Sequence, residues 1–106
     1  MGNGNGDLDD ERYFLHGGRR WRREDPQLPG DVRERLLSHL GRARAEVKRQ
    51  KKEGDDVALA EARGRVQKAK EGLGERGEAW WEQSQETRRR RWDAALAALE
   101  GDGDTP

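Results

Sequence analysis

The sequence predicts a mainly α protein: a long antiparallel helical hairpin with a short N-terminal β-hairpin and a shorter C-terminal helix. Three observations predict it. Apolar residues recur at steps of three and four, the period that gathers side chains on one helix face. They do so through Val32, Leu36, Leu40, Ala43 and Val47, and again through Leu59, Ala62, Val66, Ala69 and Leu73. Gly17-Gly18 stands between Tyr13-Phe14-Leu15 and Trp21, the pattern of two strands joined by a tight turn. Finally, 42% of the 106 residues are charged and only 15 are Leu, Val, Ile or Phe. So small an apolar fraction excludes a large core and a deep enclosed pocket.

Taken in order, residues 1–11 are rich in Gly, Asn and Asp and read as a disordered acidic tail. They have no apolar stretch of the kind a signal peptide needs. Nowhere does an apolar run approach the roughly 18 residues of a membrane span, so the expected compartment is the cytoplasm, with no membrane partner. There is no cysteine, which excludes a disulfide framework, a thiolate nucleophile and a zinc–thiolate centre.

The β-hairpin is expected over 12–23. A lone hairpin is marginal in water, so it must pack on something. Asp25-Pro26-Gln27-Leu28-Pro29-Gly30 is an extended connector, because each proline disfavours the α region at the residue before it. Asp31 is expected to cap a helix over 31–53, with Glu34 at capping-box spacing and Gly54 as its end. Asp55-Asp56 offers a new cap for a helix over 55–73, and Gly74 stands where a left-handed residue ends a helix. Gly41, Ala43, Ala62, Gly64 and Ala69 would let the two helices approach closely. Both stripes are narrow, the width of a coiled-coil seam, so a homo-oligomer is one way to cover them. Ser84 can cap a third helix over 85–99, whose face of Trp92, Ala95, Leu96 and Leu99 docks on the helical hairpin or on a second chain. Arg88 to Arg91 reads as a solvated run. An arginine-rich helix with an apolar face also suits a membrane surface, but Glu82, Glu86 and Asp93 dilute that character. Residues 101–106 form a second polar tail, leaving 12–100 as a single small domain.

Charge is unevenly placed. Residues 1–11 carry four acids and no base. Residues 12–52 carry 13 bases and 5 acids, and residues 53–106 carry 9 bases and 13 acids. A positive block between negative ends suits a polyanionic partner. The ratio of 17 Arg to 5 Lys is also what a GC-rich genome produces whatever the function.

Gly18-Arg19-Arg20-Trp21-Arg22-Arg23-Glu24-Asp25-Pro26, then Ala62-Arg63-Gly64-Arg65-Val66-Gln67-Lys68-Ala69-Lys70, then Leu73-Gly74-Glu75-Arg76-Gly77 with Trp80-Trp81-Glu82, resemble an uncharacterised family of short actinobacterial proteins. The resemblance covers roughly residues 12–82. Some members carry a label as biopolymer transporters of the Tol type, which nothing in these residues supports. The resemblance implies no activity, cofactor or site residue.

Catalysis needs convergent polar groups in a site that excludes water. His16 and His39 are the two histidines, and neither has a second ligand at HxxxH or HxxE spacing. Glu46, seven residues on from His39, is the best carboxylate partner. No P-loop or dinucleotide fingerprint occurs. No catalytic, metal or cofactor residue is therefore expected, and the chain reads as a non-enzyme.

The suggestive cluster is Arg19, Arg20, Arg22 and Arg23 around Trp21. Arginines neutralise phosphates and an aromatic ring stacks on a base, which makes these four candidate nucleic-acid contacts. In a strand, however, residues 20 and 22 face away from 21, so Trp21 can instead anchor the core with Arg20 and Arg22 solvated. Trp80 and Trp81 are expected to close the end of the helical hairpin together with Trp21. Alternatively these tryptophans, with Trp92, form an exposed hot spot for a protein partner. The expected function is a non-enzymatic interaction or structural accessory protein acting through protein–protein contacts. The alternative is a nucleic-acid-associated protein that binds phosphate backbone through the basic 12–52 block. What separates them is whether Arg19 to Arg23 and Arg42 to Lys52 make one positive surface or are neutralised by acids of the second helix.

Overall fold

The computed structural model describes residues 10–104, with the backbone alone for residues 102–104. The expected acidic tail therefore lies outside the described residues up to residue 9. Residues 10–12 are helical, so at its end a helical turn, not a tail, leads into the hairpin.

Strands β1 (Tyr13–His16) and β2 (Arg19–Arg22) pair antiparallel, with Tyr13 opposite Arg22 and Phe14 opposite Trp21. The strands stop one residue short of the expected limits of 12 and 23, where the Arg23 N–H still donates to the Arg12 carbonyl at 2.7 Å. Gly17 and Gly18 have φ of 61° and 75°. Two successive positive φ values suit a two-residue turn whose twist matches the strands, and only glycine takes both without strain.

Helix α1 (Gly30–Glu53) starts one residue before its expected position, with Pro29 as the N-terminal flanking residue and no side-chain cap. Asp31 is thus not the cap. Proline has no N–H to leave unpaired and a fixed φ near the helical value, so the helix begins on it directly. Asp31 lies in the first turn, where a carboxylate still favours the positive end of the helix dipole. Helix α2 (Asp56–Leu73) is capped as expected: Asp55 accepts from the Ala58 N–H at 3.0 Å. At its other end Gly74 has φ 90°, and the Glu75 and Gly74 N–H groups return to the carbonyls of Lys70 and Glu71. That is the Schellman arrangement. A 3-10 turn (Trp80–Glu82) follows, and then α3 (Gln85–Asp104). Ser84 accepts from the Thr87 N–H at 3.1 Å as its cap. Helix α3 continues five residues past its expected end and takes in most of the second tail; residues 105 and 106 lie outside the described residues.

Helix α2 runs back along α1, and α3 lies mainly against α2. The core is Val32, Leu36 and Leu40 from α1, Ala69 and Leu73 from α2, and Trp92, Ala95, Leu96 and Leu99 from α3. Both predicted stripes and the predicted face of α3 therefore meet within one chain. Burying a leucine as fully as Leu36 and Leu73 are buried favours folding by roughly 1.5–3 kcal/mol. Of the small residues expected to let the helices approach, Ala43, Ala62 and Ala69 are buried, but the glycines among them are not at the close approach. Gly41 and Gly64 are exposed, and a Cβ on either would meet open space. The close approach is at Gly72, where a Cβ would lie 2.6 Å from Ala95 Cβ and 2.9 Å from Leu36 Cδ2. Gly72 thus faces both other helices.

Candidate functional site

Arg88 and Arg91 are not solvated. They sit on one face of α3, three residues apart, and point inward to Asp25 of the connector. Asp25 is almost wholly buried. Arg91 Nη2 lies 2.8 Å from Asp25 Oδ2, and Arg88 Nη1 lies 3.5 Å from Oδ1. Asp25 Oδ1 also accepts from the Gln27 N–H at 2.8 Å, while the Asp25 N–H donates to the Leu73 carbonyl at 2.8 Å. The guanidinium groups also donate elsewhere: Arg88 Nε to the Trp80 carbonyl at 2.8 Å, Arg91 Nε to the Gly72 carbonyl at 3.3 Å, and Arg91 Nη1 to Gln83 Oε1 at 2.5 Å. This centre therefore ties the connector, the C-terminal end of α2 and the tryptophan turn together. Arg89 and Arg90 face solvent.

Trp80 closes this end of the molecule. It is buried, and its Nε1 donates to the Arg23 carbonyl at 2.9 Å. Trp81 meets Trp80 edge to face, with centroids 5.1 Å apart, and Tyr13 of β1 at 5.5 Å. Trp21 differs from its expected place. It is half-buried outside the core, with Arg19 over its ring at 4.8 Å, Lys70 at 5.7 Å, and Nε1 donating to the His16 carbonyl at 3.2 Å. Its position opposite Phe14 puts it on the far face of the hairpin from Tyr13, so one ladder cannot bring it to the Trp80–Trp81 stack. Trp92 belongs to the core rather than to any exposed patch.

The four candidate arginines divide. Arg22 donates to the Gly77 carbonyl at 2.8 Å and lies over Trp81, and Arg23 donates to the Asp10 carbonyl at 2.6 Å and lies over Phe14. Arg19 and Arg20 are exposed and stack only on aromatic rings, Trp21 and Tyr13 respectively. Neither has a carboxylate partner among the described residues.

Beneath the hairpin lies a cleft of about 300 Å³ lined by Phe14, His16, Trp21 and Arg22 of the hairpin and by Arg44, Lys70, Glu75 and Arg76. Arg44 comes from α1, Lys70 from the last turn of α2 and Arg76 from the loop after it. Burial pushes the Lys70 ammonium below its ordinary pKa, and Arg76 and Arg44 push it the same way, against Glu75. Burial likewise raises the Glu75 carboxyl, against Lys70. The positive surface thus runs from the hairpin to Arg44. Further along α1 it is broken, where Glu46 holds Arg49 at 2.7 Å.

His39 does not partner Glu46. Its Nε2 lies 2.9 Å from Glu100 Oε2 on α3, and Arg35 also pairs with Glu100, through Nε at 3.1 Å and through Nη2. Arg35 and then His39 hold the Glu100 carboxyl down to about 2. Sequence spacing could not show this contact, because the partners are 61 and 65 residues apart. Among the described residues no three His, Asp or Glu side chains gather to hold a metal, and no helix is long and apolar enough to cross a membrane. Set against known proteins, the chain matches no family model, no curated protein and no solved structure.

Proposed function

We propose that the chain is a non-enzymatic, nucleic-acid-associated binding module that grips phosphate with the cations gathered around its β-hairpin. One observation carries this reading: cations from four segments converge on the hairpin and its cleft. Arg19 stands exposed on the hairpin face that carries Trp21, with Arg20 exposed on the opposite face over Tyr13, while Arg44, Lys70 and Arg76 line the cleft from α1, from α2 and from the loop that follows. Each cation set against a phosphate releases counterions, so binding of this kind weakens steeply with salt.

Fluorescence anisotropy with labelled single-stranded and duplex DNA across a salt series tests it. On duplex DNA the log–log slope is expected at roughly −0.9 per phosphate engaged. Arg19→Ala with Arg20→Ala is expected to make it shallower by roughly two units, one for each phosphate left without its arginine. No binding at low salt would overturn the proposal.

A second reading is a protein partner on the hairpin tip. Leu15 is 75% exposed beside Phe14 at 39%, an apolar pair that suits a hydrophobic contact. A protein ligand there would lose affinity on Leu15→Ser, with little dependence on salt.

A further inference from the structure

The cleft under the hairpin brings two features together in one lining: aromatic rings and clustered cations. We infer that it admits one nucleotide of a single strand, its base stacked on Trp21 and its phosphate held by Arg44, Lys70 and Arg76. This deepens the nucleic-acid reading and rests on it. A duplex, whose bases stay in the stack, could not enter.

Three observations support the assignment. The cleft, at about 300 Å³, lies at the small end of ligand sites, which suits one nucleotide rather than a longer ligand. Its lining sets aromatic rings beside cations. Phe14 and Trp21 lie opposite each other on one face of the hairpin, and aromatic faces take any base. Beside them, Arg44, Lys70 and Arg76 come from three separate segments against one carboxylate, Glu75, which leaves the lining net positive. Holding like charges together in a half-buried place opposes folding, and the lowered pKa of Lys70 reflects its burial and that crowding. A phosphate would relieve it. Arg19, an exposed side chain on the hairpin, lies over the Trp21 ring, with Lys70 farther off at 5.7 Å. A base stacking on that ring would displace Arg19, leaving its guanidinium to meet the next phosphate.

The test uses the full chain with a fluorescein-labelled deoxythymidine decamer and a duplex of the same length, followed by anisotropy at low salt. The variants are Trp21→Ala, Trp21→Phe, Lys70→Gln and, as a control at the far end of α1, Lys51→Gln. The single strand is expected to bind more tightly than the duplex. Trp21→Ala and Lys70→Gln should each weaken it by at least about fivefold, Trp21→Phe should restore most of the loss, and Lys51→Gln should change it little. Lys70→Gln relieves like-charge crowding, so its melting temperature should not fall, which separates a binding role from a structural one. Equal binding of both forms, with Lys70→Gln and Trp21→Ala no worse than Lys51→Gln, would overturn the cleft assignment and leave the wider phosphate reading standing. No binding of either form would overturn both.

Discussion

Asp25 Oδ2 and Arg91 Nη2 meet at 2.8 Å across 66 residues of chain, and with Arg88 they form a charged centre that is almost closed to water. Such a centre is weak evidence of added stability, because desolvation opposes the attraction. Breaking it is costly, because the remaining charges stay buried without a partner. Asp25→Ala is therefore expected to lower the unfolding free energy by about 3–5 kcal/mol in urea denaturation. Asp25→Asn keeps an acceptor for the Gln27 N–H and should lose less. A loss below about 1 kcal/mol for Asp25→Ala would mean that the two arginines reach solvent instead.

Gly72 and Gly64 lie on the same helix and make opposite predictions. Gly64→Ala meets open space and gains helix propensity, so stability should rise by about 0.5–1 kcal/mol. Gly72→Ala gains the same propensity but drives a methyl into Ala95 and Leu36, and overpacking of this kind costs about 1–3 kcal/mol. Thermal melts should move in opposite directions. A rise in both would mean that α3 can step away from α2 without penalty.

The pairing of Glu100 with Arg35 and His39 has a pH signature. Its carboxyl is lowered from 4.5 to about 2 in the folded chain, so the folded state favours the ionised form. Stability from this group is then fully present above about 4.5 and is lost as pH falls towards 2. Glu100→Gln should therefore melt below the parent chain at pH 6, and the gap should narrow steadily between pH 4.5 and 2. A gap that does not change with pH would show that shape, not charge, holds this contact.

The four tryptophans should divide into two classes on acrylamide quenching. Trp80 and Trp92 are each 7% exposed and should be protected, whereas the half-buried Trp21 and Trp81 should quench. Uniform quenching would contradict the closed end formed by Trp80.

What could be read from the sequence follows from the range of each interaction. The helix stripes, the Gly17-Gly18 turn and the caps at Asp55, Ser84 and Gly74 are local patterns, set within a few residues, and each takes its expected form. The start of α1 is local too, but there Pro29 displaces Asp31 as the first flanking residue. The misread features are long-range. Within a run of four arginines, helical geometry alone turns Arg88 and Arg91 inward, and only the fold brings Asp25 to meet them. Gly72 differs from Gly41 and Gly64 only in what lies across from it. Of the candidate site, Arg19, Arg20 and Trp21 could be singled out from their clustering. Arg44 falls within the basic Arg42–Lys52 stretch, but Lys70 and Arg76 could not be singled out, since each is an ordinary surface cation until α2 ends beneath the hairpin.

The hairpin is tied to the helices through its base: the Trp81 stack on Tyr13, the Arg22 bond to Gly77 and the Trp80 bond to Arg23. Its own ladder shares no strand with the rest of the fold. Two tiers of cooperativity follow. Amide protons of β1 and β2 should exchange through a shallow local opening, while those of α1 around Leu36 wait for global unfolding. A molecule arranged in this way can vary its recognising tip without endangering the body that carries it, so substitutions near the turn should alter affinity well before they alter survival of the fold.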